Sequence, residues 1–108
     1  MNNSAFIITL RELLVILMHN RTLGEKSADA LRYCREQIVE EQLAIGVYGE
    51  FQEIVEHLHE LADENNRTAP DDLLRSGGDL ILSILLLYER LAAEKAVNHY
   101  MAERNPFN

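Results

Sequence analysis

Apolar residues recur at helical spacing through most of this chain, and this periodicity restricts the possible fold more than any other feature. The clearest example lies between Glu50 and Glu64. Its apolar residues are three or four positions apart and form one stripe on a helix: Phe51, Ile54, Val55, Leu58, Leu61 and Ala62. Alternation with a period of two, which would indicate half-buried strands, is nearly absent. The chain is therefore predicted to be all-α.

Capping residues and helix breakers divide the periodic pattern into four predicted helices. They cover about residues 5–19, 23–44, 50–64 and 70–104. Thr22, with Glu25 three positions later, is typical of a capping box at the start of the second helix. Pro70 suits the first position of the fourth and longest helix. Residues 1–108 are expected to form a single domain, a four-helix bundle of antiparallel helices joined by short turns.

Two pairs of glycines complicate this division. Gly46 and Gly49 are close together, which predicts a bend or tight turn before the third helix. A continuous long helix through this point is the alternative, at a cost of about 1 kcal/mol per glycine relative to alanine. Gly77 and Gly78 predict either a kink in the fourth helix or a short helix followed by a restart. Glycine at this point would also allow another helix to approach closely.

The first and fourth predicted helices carry more apolar surface than one small core needs. In the first helix only Thr9, Arg11 and Glu12 form a polar strip, so burial on more than one side is expected. In the fourth helix, residues 80–87 are apolar except for Ser83 and are predicted to form the centre of the core. This surplus predicts a homodimer.

The net charge of −8 is concentrated in one segment. From Glu36 to Asn66 the chain has nine acidic residues and no Lys or Arg, whereas the remainder has nine acidic and ten basic residues. Direct nucleic-acid binding is unfavourable for such a surface, because basic side chains must replace the counterions of the phosphates. A partner protein with a basic surface fits this charge better.

The function predicted from this charge is that of a small non-enzymatic regulator that binds another protein, such as an adaptor, an inhibitor, or an antitoxin-like or chaperone-like protein. The contact is expected to involve the carboxylates of the second and third helices: Glu40, Glu41, Glu53, Glu56, Glu60 and Asp63. An acidic face that only keeps the protein soluble remains the alternative.

A metal-binding helical bundle is a second possible function. Glu53, Glu56, His57 and His59 supply carboxylate and imidazole ligands on the third helix, and Glu56 with His59 has the Glu-x-x-His spacing of di-iron bundles. That architecture needs a second Glu-x-x-His on a facing helix, and the sequence has none. The stripe around Leu58 also places the two histidines on opposite flanks. No cofactor is therefore predicted.

A DNA-associated regulator is a third possibility. Arg21, Lys26, Arg32 and Arg35 cluster around the start of the second helix, where a helix-turn-helix protein would contact DNA. The acidity of the whole chain is unfavourable for this interpretation.

Catalysis has no support in the sequence. No serine lies in a Gly-x-Ser-x-Gly segment, and no phosphate-binding glycine loop is present. Cys34, the single cysteine, is predicted to be a small buried side chain. One cysteine allows no internal disulfide, and the N-terminal segment lacks the positive region of a signal peptide. A cytoplasmic protein without a membrane partner is expected.

Overall fold

The computed structural model describes residues 4–37, 45–63 and 67–104, and all regular secondary structure in these ranges is α-helical. The helices are α1 (Ser4–Leu17), α2 (Leu23–Gln37), α3 (Ile45–Ala62) and α4 (Pro70–Arg104). The prediction of an all-α chain with a long last helix is confirmed. The predicted end of the second helix, residues 38–44, lies outside the described residues.

The start of α2 has the predicted capping box. The Glu25 backbone N–H donates to Thr22 Oγ1 at 3.2 Å, and the Thr22 backbone N–H donates to Glu25 Oε1 at 3.3 Å. These two bonds satisfy N–H groups that the helix itself leaves without acceptors. At the start of α4, Pro70 is the first helical residue, as predicted.

The bend predicted at Gly46 and Gly49 is wrong, because α3 begins at Ile45 and includes both glycines. Val47, between them, is only 3% exposed and lies on the same buried face as Phe51. A β-carbon built on either glycine would meet nothing within 4 Å. Both glycines therefore lie on the open side of a helix that core packing stabilises against their low helix propensity.

The helices form a bundle in which α1 packs against α2 and α4, and α3 packs against the same two helices. A β-carbon built on Gly24 would lie 3.5 Å from the carbonyl oxygen of Leu61, so the start of α2 lies beside the end of α3. Across the bundle, the rings of Phe6 and Phe51 meet edge to face, with centroids 5.6 Å apart.

The core draws apolar side chains from all four helices. Its largest fully buried apolar side chains are Leu10, Leu13, Leu58, Leu80, Ile84, Leu87 and Leu91. The predicted stripe of the third helix is confirmed for Phe51, Ile54, Leu58 and Leu61, all of which are buried.

The long helix α4 runs without interruption through Gly77 and Gly78, so the predicted restart does not occur. The apolar run at 80–87 was predicted to form the centre of the core, and it does so with one face only. One face of the run is buried, and the other four apolar side chains are exposed: Ile81, Leu82, Leu85 and Leu86. The described parts of the neighbouring helices cover the face of α4 that bears Leu80, Ile84 and Leu87.

Beyond Leu91, α4 projects from the bundle. All described side chains from Ala93 to Glu103 are exposed. The segment after Leu91 has a helical length of about 20 Å. It accounts for the elongated shape of the molecule, whose longest dimension is 58 Å against 25 and 23 Å for the other two.

Candidate functional site

The outward side of α3 carries the carboxylates that the sequence singled out. Four of them are exposed: Glu53, Glu56, Glu60 and Asp63. They lie there because the opposite side of the helix carries Phe51, Ile54 and Leu58 in the core. We call these four carboxylates the acidic face. Glu40 and Glu41, which were predicted to belong to the same surface, lie outside the described residues.

Beside the acidic face, a groove of about 500 Å³ separates α3 from α4. From α3 it is lined by Glu50, Glu53, Ile54 and His57. From α4 it is lined by Ser83, Leu86, Leu87 and Arg90. Glu53 therefore belongs both to the acidic face and to the groove.

Polar contacts join the two helices on either side of this groove. Arg90 pairs with Glu50, and its other guanidinium nitrogen donates to the carbonyl oxygen of Gly46 at 3.3 Å. Toward the start of α4, His57 Nε2 and Ser76 Oγ are 2.7 Å apart. The order of these contacts along the chain shows that α3 and α4 are antiparallel.

The charge at the rim of the groove is not balanced. Arg90 is shared between Glu50 and Glu94, whose Oε1 is 3.8 Å from Arg90 Nε. Within the described ranges, Glu53 and Glu56 form no ion pair or hydrogen bond. The rim therefore presents the negative charge of Glu53, which has no partner among the described residues, beside apolar side chains.

The apolar part of the groove has a buried floor and an exposed wall. Ile54 and Leu87 are almost completely buried, whereas Leu86 is 55% exposed. One turn earlier on α4, Leu82 is 51% exposed and extends the apolar surface. An exposed apolar surface next to unpaired charge is the composition of a protein-binding patch.

The four residues predicted for a metal site are not brought together. Glu53 and His57 line the groove, whereas Glu56 and His59 are exposed and do not. Among the residues that the structure describes, no group of three His, Cys, Asp or Glu side chains is placed to hold a metal ion.

The basic start of α2 is partly neutralised by carboxylates of the same helix. Arg21 lies 3.2 Å from Glu25 and 3.1 Å from Asp29, and Arg32 lies 3.1 Å from Asp29. These pairs reduce the positive charge that the segment offers to a phosphate backbone.

Cys34 is buried, as predicted. Burial raises the pKa of its thiol to about 11, because the thiolate would lose its hydration inside the core. The thiol is therefore poorly suited to nucleophilic chemistry.

The groove contains residues that the sequence analysis missed. Glu50 and Arg90 are 40 residues apart, so no local pattern indicates that they pair. Leu86 was assigned to the core because its neighbours on both sides are apolar. Helical periodicity alone does not show which side of such a run remains uncovered.

No protein-family model matches this chain. The comparisons with curated proteins and with solved structures likewise give no match. In the described part of the chain, none of the helices has the length and apolar character needed to cross a membrane.

Proposed function

We propose that this chain is a small non-enzymatic regulator that binds a basic partner protein through the acidic face of α3. The observation that carries this proposal is the exposure of Glu53 and Glu56, which have no partner among the described residues, with Glu53 lining the same groove as the exposed apolar side chain of Leu86. The classes of regulator that the proposal includes are an adaptor, an inhibitor, an antitoxin-like protein and a chaperone-like protein. A cytoplasmic location belongs to the proposal, since the single cysteine requires no oxidising compartment.

The charge of the chain should affect both the rate at which it meets a basic partner and the salt dependence of binding. The net charge of −8 attracts a basic partner from a distance and speeds the encounter. Salt screens this attraction over about 8 Å at physiological ionic strength, so binding should weaken as salt rises. The apolar side chains add affinity that salt does not remove.

The test is capture of partners from native lysate by three forms of the tagged chain, washed at low and at high salt. The forms are the natural chain, Glu53→Lys/Glu56→Lys on the acidic face, and Glu89→Lys/Glu103→Lys on α4. Both variants change the net charge equally, and all four carboxylates are exposed. Glu103 forms only an exposed pair with His99, so its loss should cost little stability.

The proposal predicts a basic protein that the natural chain and the α4 variant retain at low salt and release at high salt. The α3 variant should not retain it. Equal capture by all three forms would show that the acidic face is not the binding surface.

The proposal also includes a homodimer whose interface lies on α1 and α4. These helices pack against each other, and both expose apolar side chains away from the groove: Ile8 and Val15 on α1, Ile81 and Leu85 on α4. A second copy that covers them would remove apolar surface from water. Light scattering should give twice the chain mass of 12.4 kDa. Ile8→Glu/Val15→Glu should give the monomer mass, and a monomeric natural chain at micromolar concentration would contradict the dimer.

A further inference from the structure

The groove between α3 and α4 has the dimensions of a binding site for a few side chains. Its volume of about 500 Å³ lies within the range of ligand pockets, roughly 300–1,000 Å³. Along α3 it extends from Glu50 to His57, which corresponds to roughly 10 Å or two helical turns. Two turns accommodate anchor side chains at positions i and i+4 of a docked helix.

The floor and wall of the groove favour binding of an apolar side chain of a partner molecule, which would anchor the contact. Ile54 and Leu87 close the bottom, and the exposed side of Leu86 faces solvent beside them. Covering Leu86 with a bulky apolar side chain would remove apolar surface from water on both partners. An anchor in a pocket surrounded by polar groups is the usual arrangement of the strongest contacts in protein interfaces.

The charge at the rim of the groove favours a bound segment of positive charge. Arg90 is already engaged by Glu50 and Glu94, so it offers little attraction to an acidic segment. Glu53, in contrast, has no ion-pair or hydrogen-bond partner in the described part of the chain, and Glu56 lies one turn further along α3. A segment with Lys or Arg beside its apolar anchor would complement these carboxylates.

We propose that this groove holds an amphipathic basic helix of the partner protein, with a bulky apolar side chain against Leu86 and a Lys or Arg one turn away beside Glu53. This inference rests on the proposed function and adds the shape and chemistry of the partner segment. The acidic face supplies the charge, and the groove fixes the position of the docked helix.

The test uses a synthetic peptide as the probe. The peptide is a Lys-rich amphipathic helix of about 16 residues, roughly 24 Å long, with Trp and Leu four positions apart on its apolar side. Because the protein has no tryptophan, the emission of the peptide reports the environment of the anchor directly. Seating of the Trp in the groove should shift its emission to the blue, with saturation as the protein concentration rises.

Two variants of the full chain locate the binding site. Leu86→Lys places a charge in the groove, whereas Leu74→Lys places the same charge elsewhere on α4, at a position that is not part of the groove lining or of the proposed dimer interface. Both leucines are exposed, so both variants should fold, and circular dichroism checks this. We expect Leu86→Lys to weaken peptide binding by about tenfold or more, and Leu74→Lys to change it by less than about twofold.

The outcomes separate the groove from the acidic face. Equal binding by the two leucine variants, or equal binding of a peptide in which Glu replaces Lys, would overturn the groove inference. If the partner captured from lysate is lost with Glu53→Lys/Glu56→Lys and kept with Leu86→Lys, the proposed function stands and the groove inference fails. If both variants keep it, both proposals fail.

Discussion

The side chain of Leu23 lies directly over Gly77. A β-carbon built on Gly77 would come 3.0 Å from Leu23 Cδ2 and 3.2 Å from Cδ1, whereas one built on Gly78 would meet nothing within 4 Å. The start of α2 therefore packs closely against α4 at Gly77, where the missing side chain leaves room for Leu23. The two glycines are neighbours in sequence, but only Gly77 has a packing role.

This difference predicts that two similar substitutions stabilise the protein to different extents. Gly78→Ala should raise the free energy of unfolding by about 1 kcal/mol, since alanine has the higher helix propensity and nothing is displaced. Gly77→Ala gains the same propensity but must displace Leu23, so its stabilisation should be clearly smaller. Urea unfolding followed by circular dichroism measures both values.

Leu23→Ala provides the control for this pair. In that background the two glycine substitutions should become equally stabilising, because the atoms that oppose a β-carbon at Gly77 are gone. A difference that persists without the leucine side chain would show that the close contact is not its cause.

The parts of the fold that could be predicted from the sequence depend on neighbouring residues. The capping box of Thr22 and Glu25 spans four residues, and Pro70 marks the start of α4 through its own ring geometry. The glycines at 46 and 49 misled the prediction because core packing at Val47, a tertiary effect, decided where α3 begins.

The candidate site could be predicted only in part, because it too depends on contacts between residues that are distant in sequence. Glu53 and Glu56 could be placed on an exposed face from the stripe opposite them. The groove depends on the spacing of α3 and α4 and on the contact of Arg90 with Glu50, which links positions 40 residues apart. Such contacts follow from the packing of whole helices, which one sequence does not reveal.

From the environment of Ser27 we predict that its replacement stabilises the protein. It is fully buried, and its hydroxyl has no hydrogen-bond partner in the described structure. A buried hydroxyl without a partner loses its hydration and gains nothing in return. Ser27→Ala should therefore raise the free energy of unfolding by about 1 kcal/mol.

The matched control for Ser27 is Ser83→Ala. Ser83 is exposed, and its hydroxyl donates to the carbonyl oxygen of Asp79 at 3.0 Å. Its replacement should change stability by less than about 0.5 kcal/mol. A loss of stability in Ser27→Ala would mean that the buried hydroxyl has a partner after all.

Because Cys34 is buried, we predict that its thiol reacts only slowly with thiol reagents in the folded protein. With a pKa of about 11, only about a thousandth of the thiol is ionised near pH 8, and the core also blocks access. A chromogenic disulfide reagent should react slowly with the native chain and at once after unfolding in urea. In Cys34→Ala/Ser83→Cys, which moves the thiol to an exposed position on α4, the native protein should react at once. A fast reaction of native Cys34 would contradict its burial.

The capping box predicts how the charge of Glu25 contributes to stability. The hydrogen bond from the Thr22 hydroxyl, at 2.9 Å, lowers the pKa of the Glu25 carboxyl below its ordinary value; the Thr22 backbone N–H and Arg21 act in the same direction. A lowered pKa in the folded state means that the charged form stabilises the fold. This stabilisation is present above the pKa of the unfolded chain and is lost as the pH falls through the folded value. Glu25→Gln should therefore be less stable than the natural chain at neutral pH, and the difference should shrink in acid.

The relative contributions of Thr22 and Arg21 to the lowered pKa of Glu25 can be measured by following the Glu25 carboxyl carbon during an NMR titration. Thr22→Ala removes the largest contribution, so the pKa of Glu25 should rise toward its ordinary value. Arg21→Ala removes a smaller, charge-based contribution and should raise the pKa less. Thr22→Ala should also cost about 1 kcal/mol of stability, as expected for the loss of a helix cap. If Arg21→Ala raised the pKa more than Thr22→Ala did, the ion pair rather than the cap would control this carboxylate.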